Sequence, residues 1–285
     1  MEFNKSNRFN NDNEKKEKPN LIHYAGELGE FDYDPNVWEI CNGDVYNEYL
    51  HFKNIYVENL ELPKGLLSCR LMFYGCVLPK DFTLSDKFDT LNINNMESMF
   101  YDCTIPKNFS LGDNFNTSKV TNMDNMFGDC KLPENFTLGD KFSTSSVTTM
   151  ENMFYNCILP ETFTLGEKFD TSNVKNMKNM FSYCKLPENF SLGDKFDTSK
   201  VKDMVEMFYY CKVSENFSLG DKFDTKNVTD MGWMFFRCKL PESFTLGDKF
   251  DTSNVTKIDN MFKDCRMSDS FKEKYKDLIL KSQQK

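Results

Sequence analysis

Histidine is nearly missing. Among 285 residues only His23 and His51 occur, and neither sits in a recognisable motif. Most of the chain therefore lacks the commonest general acid–base group and the commonest metal ligand. There is no Cys-x-x-Cys pair, no Gly-rich phosphate loop and no nucleophile elbow, so zinc binding, nucleotide binding and hydrolase chemistry each lack their signature. No run of about 18 apolar residues offers a membrane span, and no apolar stretch of roughly 7–15 residues follows the first basic residues as a secretory leader requires. The expected location is cytoplasmic or intracellular, with the cell surface or a virion as the alternative. No dominant basic stripe suggests direct nucleic-acid binding, since 44 acidic residues outnumber 35 basic ones for a net charge of −9. Together these absences exclude the usual enzyme classes, and neither a cofactor nor a metal is expected.

What the chain has is regularity. Cys76, Cys103, Cys130, Cys157, Cys184, Cys211, Cys238 and Cys265 stand 27 residues apart, and each follows a Met-Phe pair by three to four residues. A strict period means a stack of equivalent modules sharing one core. Seven units without insertion or deletion run from 77 to 265.

Each unit has two halves. In Lys131–Cys157, Phe136 and Leu138 alternate with polar neighbours between Pro133 and Gly139, the pattern of a short strand with one buried face. In the unit before it, Val120, Met123, Met126, Phe127 and Cys130 lie at offsets 0, 3, 6, 7 and 10. That spacing predicts one apolar stripe of a short helix, with Thr117 and Ser118 available to cap it. Such a helix is marginal alone, so neighbouring units must hold it. The fold class expected is α/β, with seven strand-plus-short-helix repeats forming a parallel sheet.

The sequence Phe-Asp-Thr-Ser-Asn-Val at 169–174 and 250–255, followed by Asn-Met-x-x-Met-Phe-x-x-Cys as at 176–184, resembles the BspA-like leucine-rich-repeat surface-protein family. The resemblance covers about two thirds of the chain. It implies a leucine-rich-repeat-like solenoid whose relatives act in adhesion and protein binding. Departures are few: Val213-Ser214 replaces Leu-Pro, Ser85 replaces Gly, and Ile258 replaces Met.

Around the array, residues 1–20 are expected to form a disordered tail and 21–76 an N-terminal cap with a degenerate half-repeat, including a strand over 54–63. Residues 266–285 read as a C-terminal capping helix, with Phe271, Tyr275, Leu278 and Ile279 on its apolar face. The cysteine ladder is expected to be free, buried and structural, because helices about 9–10 Å apart would hold the cysteines beyond the roughly 7 Å Cα limit for a disulfide.

Candidate binding positions come from register. Thr83, Ser110, Thr137, Thr164, Ser191, Ser218 and Thr245 form an outward strand-face ladder, the face that the resemblance marks as a ligand surface. Asp86, Asp113, Asp140, Glu167, Asp194, Asp221 and Asp248 form an acidic column beside a column of mostly lysine. Variety appears at Tyr183, Tyr209, Tyr210, Trp233 and Phe236. These fall off the apolar stripe, and some replace Asn or Asp of other units, which makes them candidate interface anchors or inter-repeat packing. The function expected is a non-enzymatic protein-binding or structural solenoid with a protein partner. The alternatives are a surface or virion-associated adhesin, and an acidic inhibitor or nucleic-acid mimic for a basic partner.

Overall fold

The computed structural model describes residues 20–42, 48–53, 57 and 59–283. The tail expected over 1–20 lies outside the described residues except for Asn20, as does part of the strand expected over 54–63. The cap is built instead from two antiparallel hairpins. Strand β1 (Ile22–Gly26) pairs with β2 (Gly29–Tyr33), and β3 (Trp38–Cys41) pairs with β4 (Tyr49–Phe52). Phe31, Trp38 and Phe52 are buried, and Phe52 meets Phe73 of the half-repeat at 5.3 Å between ring centroids. Because Phe52 N–H also donates to Met72 O at 2.8 Å, the cap is joined to the array by backbone as well as by packing.

The repeats form neither the strand nor the helix expected of them. Among the described residues the two helices lie after 268, and inside the array the inter-repeat pairings are isolated parallel bridges. The bridges run through Asn95, Asn122, Thr149, Asn176, Asp203, Asp230 and Lys257, and through Lys131, Ile158, Lys185, Lys212, Lys239 and Arg266. Between them the amides alternate in direction. Met123, Asn125, Phe127 and Asp129 donate to Thr149, Glu151, Met153 and Tyr155 of the next unit, while Met126, Gly128 and Cys130 close turns onto Met123, Asn125 and Phe127. Asn125 and Asp129 hold φ of 57° and 56°, left-handed values that stop any helix.

The reason lies in spacing. Packed helices need about 8–10 Å between axes, whereas hydrogen-bonded chains sit about 4.8 Å apart. Coiling the second half as linked turns lets both halves of every unit repeat at the shorter distance. Thr117 is therefore no helix cap: its Oγ1 donates to Ser143 O at 2.7 Å in the next unit. Thr90, Thr144, Thr171, Thr198 and Thr225 do the same, and all six hydroxyl-bearing side chains are fully buried.

The burial pattern nonetheless follows the sequence stripe, since Val120, Met123, Met126, Phe127 and Cys130 are all inside. Phe73, Phe100, Phe127, Phe154, Phe181, Phe208, Phe235 and Phe262 stack in one column, with centroids 5.2–5.8 Å apart and planes within 9°. A second set meets it edge-on, as Phe136 meets Phe127 at 5.6 Å and 74°. Aromatic pairs of this kind contribute about 0.5–1.5 kcal/mol each beyond the area they bury.

At the far end the single capping helix is two short ones, α1 (Asp269–Lys274) and α2 (Lys276–Gln283), broken at Tyr275. Ser268 caps α1 by accepting from Phe271 N–H. Phe271 is buried against Phe244 and Phe262, and Tyr275 Oη accepts from Leu246 N–H at 3.1 Å, so the last core layer is covered. No described helix is long and apolar enough to cross a membrane.

Candidate functional site

The alternating turns put two positions per unit into left-handed backbone on one outer face. In four of the seven units both are small and polar, Ser98 and Asp102, Asn125 and Asp129, Asn152 and Asn156, and Asn260 and Asp264, while a fifth has Asn179 at the first. Asn and Asp tolerate this region because their short side chains bond locally. Three aromatic residues occupy it as well: Tyr183 at 60°, Tyr210 at 53° and Trp233 at 62°. Glu206 and Arg237 share it at 57° and 54°. A non-Gly residue without the Asn advantage costs about 1–2 kcal/mol there, and such strain collects where side chains are wanted for a reason other than stability.

These aromatics form one cluster. Tyr183 stacks on Tyr210 at 5.2 Å, and both Tyr155 and Tyr209 stand steeply to Tyr183, at 76° and 64°. Trp233 meets Phe236 at 4.9 Å, and Phe236 lies flat on Tyr209 at the same distance. Tyr183 and Tyr210 are exposed, at 43% and 36%. Phe236 differs from the expectation that all five avoid the core. It is only 6% exposed, because Trp233, Tyr209 and Tyr210 close over it, so it supports the face without offering a contact surface. Cations already lie on these rings, with Arg237 5.1 Å from the Tyr210 centroid and Lys263 5.9 Å from that of Trp233.

Beside this cluster runs a cleft of about 410 Å³, lined by Asn125, Asn152, Asn179 and Glu206 and by Tyr101, Tyr155, Tyr183 and Tyr209. Sequence reasoning missed Tyr101, Tyr155, Glu206 and the three asparagines as site residues. The signal was an alternation at one repeat position, Tyr101, Gly128, Tyr155, Ser182 and Tyr209, which leaves space beside every second ring. A Cβ at Gly128 would come within 2.8 Å of the Tyr101 ring, so glycine is what lets that ring lie down. Burial pushes the Glu206 carboxyl above its ordinary value, with Lys178 pulling the other way. Lys178 is held 3.2 Å from Glu151. Tyr101, Tyr155 and Tyr209 are raised, chiefly by burial and then by acidic or phenolic neighbours.

The other expected positions are more regular. Thr83, Ser110, Thr137, Thr164, Ser191, Ser218 and Thr245 are all exposed, and Ser110 and Ser191 turn their hydroxyls to the amides of Gly112 and Gly193 in their own turns. The cysteines are free thiols. The helix-spacing argument for that does not hold, since no helices separate them. Each of Cys103, Cys130, Cys157, Cys184 and Cys238 instead donates from Sγ to the carbonyl of the Phe thirty residues earlier, at 2.6–2.8 Å. Burial pushes Cys130 and Cys184 up to about 12, which keeps them as unreactive thiols. In the cap, exposed His23 pairs with Asp32 at 2.8 Å and His51 Nδ1 lies 3.2 Å from Leu71 O. Among the described residues no group of three or more His, Cys, Asp or Glu is placed to hold a metal.

The repeat register that builds this face has counterparts. The family described as "Mycoplasma protein of unknown function, DUF285" matches residues 67–189, 134–241 and 188–278 in three overlapping segments. The chain belongs to the DUF285 family. The matched span runs from the half-repeat to α2, so it includes every residue of the aromatic face and the cleft. No curated protein and no solved structure matches the chain.

Proposed function

We propose that this DUF285 chain is a non-enzymatic protein-binding module, a leucine-rich-repeat-like solenoid of the BspA-like kind, whose recognition surface is the aromatic face around Tyr183, Tyr209, Tyr210 and Trp233. The observation that carries the reading is backbone strain. Tyr183, Tyr210 and Trp233 stand at left-handed positions where other units use Asn or Asp, and exposed Tyr and Trp are the side chains that most often anchor protein interfaces. Stacking alone does not account for them, because units with small polar residues here keep the same hydrogen-bonded coil. The solenoid assignment is supported by the unbroken chain of inter-unit hydrogen bonds, from Cys69 N–H on Asn95 O to Leu240 N–H on Arg266 O. The uniform hydroxyl ladder offers no comparable anchors.

The test is affinity capture from the native source with the wild-type chain and with a Tyr183→Asn, Tyr210→Asn, Trp233→Asn triple variant. A partner retained by the first and lost by the second, at matched thermal stability, supports the reading. Equal recovery on both would place the interface elsewhere.

A further inference from the structure

The cleft beside the cluster has a chemical character of its own. Its four tyrosines supply ring faces, and Asn125, Asn152, Asn179 and Glu206 supply three amides and one carboxylate, while among the described residues no lysine or arginine lines it. Lys178 acts on the Glu206 carboxylate while paired with Glu151 at 3.2 Å, and Asn179 Oδ1 is shut from solvent without a donor. A carboxylate beside four negative ring faces, with no cationic side chain among the lining residues, forms a half-site for a cation.

The same face shows how a cation is satisfied one unit further along. Arg237 lies 5.1 Å from the Tyr210 centroid and 5.2 Å from that of Phe236, while its Nε reaches Asp264 at 3.3 Å. Ring faces plus a carboxylate is therefore an arrangement that this chain completes internally with a guanidinium. In the cleft the rings and the carboxylate are present, while Lys178, the cation that acts on Glu206, is held on Glu151 instead.

We propose that the cleft formed by Tyr101, Tyr155, Tyr183, Tyr209, Asn179 and Glu206 receives the alkylammonium end of a lysine side chain presented by a protein partner. This rests on the protein-binding reading above and adds the chemistry of one contact. Lysine is favoured over a quaternary ammonium because the Glu206 carboxylate accepts from N–H donors, which a trimethylammonium group lacks. The net charge of −9 adds a long-range attraction for a basic partner.

The experiment is an NMR titration of the full chain, with ring-labelled tyrosine, against three probes: N-acetyl-lysine methylamide, its neutral isostere N-acetyl-norleucine methylamide, and tetramethylammonium. The lysine probe should shift the tyrosine ring signals saturably, with its own ε-methylene moving upfield. The norleucine probe should bind at least about tenfold more weakly, the equivalent of one charge-assisted contact. Glu206→Asn places in the lining the residue that other units carry there, so the fold should persist while lysine binding falls by a similar factor. Glu206→Gln is the second variant, keeping the side-chain length. Equal binding of the lysine and norleucine probes, or unchanged binding in both Glu206 variants, overturns the proposal. Tighter binding of tetramethylammonium than of the lysine probe overturns it too, by assigning the cleft to a free quaternary cation. Lysine binding that succeeds while partner capture fails would sink the protein-binding reading alone. Capture that depends on Trp233 without lysine binding would sink only the cleft assignment.

Discussion

Cys130 Sγ donates a 2.8 Å hydrogen bond to the carbonyl oxygen of Phe100, thirty residues earlier and in the neighbouring unit. That carbonyl also accepts from Cys103 N–H at 3.1 Å, so one oxygen closes a local turn and ties two units together. Cys130→Ala removes the second bond and leaves a small cavity in the densest part of the stack. A destabilisation of about 1–2 kcal/mol is expected, measured by urea unfolding.

Accessibility of the thiols follows from the same packing. Eight of the ten cysteines are buried, while Cys41 and Cys265 are partly exposed, and burial holds Cys265 up to about 12. Labelling the native chain with a thiol reagent near neutral pH should modify Cys41 first and Cys265 slowly, with the remainder reacting only after unfolding. Rapid labelling of most thiols in the native state would contradict the buried ladder.

The buried threonines test whether hydrogen bonds or shape hold the units in register. Thr171 Oγ1 donates to Asp197 O at 2.8 Å from a fully buried position. Thr171→Val keeps the volume and deprives that carbonyl of its donor, at an expected cost of about 1–3 kcal/mol. Thr171→Ser keeps the donor and loses a methyl, which should cost about 1 kcal/mol. If the serine variant is the less stable of the two, shape matters more than the bond.

Asp124 gives the array a pH dependence of unusual sign. Burial raises its carboxyl from 3.8 to about 6, against hydrogen bonds from Thr149 Oγ1 and Glu151 N–H that pull it down. The folded state therefore binds this proton more tightly than the unfolded state does, so the Asp124 contribution makes the fold more stable as pH falls from about 7 towards 4. Asp124→Asn should remove that increment, and the difference between the two Tm-against-pH curves should be largest across this window. Parallel curves would show that Asp124 titrates normally.

Trp233 and Phe236 touch, yet they should behave differently. Trp233→Asn relieves the left-handed backbone while losing ring contacts, so stability should change by no more than about 1 kcal/mol. Phe236→Ala empties a site that is 6% exposed, at an expected cost of about 3–5 kcal/mol. Thermal melts of the two variants decide it, and a Trp233 loss as large as that of Phe236 would make the tryptophan a packing residue.

Register made part of the site legible. Because Cys184, Cys211 and Cys238 number their units, Tyr183, Tyr210 and Trp233 stand out against Asn and Asp at equivalent positions. Tyr101 and Tyr155 passed as regular, since a tyrosine recurs at their position in several units. Their role depends on the small residues between them, Gly128 and Ser182, and that is a relation between units rather than within one.

By itself the sequence determined the period, the seven units and which side chains are buried, because Val120, Met123, Met126, Phe127 and Cys130 must leave water whatever the backbone does. The tertiary structure decided the path that buries them. The spacing of offsets 0, 3, 6, 7 and 10 fits a helix, and a single unit cannot reveal that its amides will find carbonyls in the next one. Only when units stack about 4.8 Å apart do inter-unit bonds become available, and they displace the helix by alternating with tight turns at Asn125 and Asp129. The same stacking brings Tyr101, Tyr155, Tyr183, Tyr209 and Glu206, spread over more than a hundred residues of chain, to one cleft.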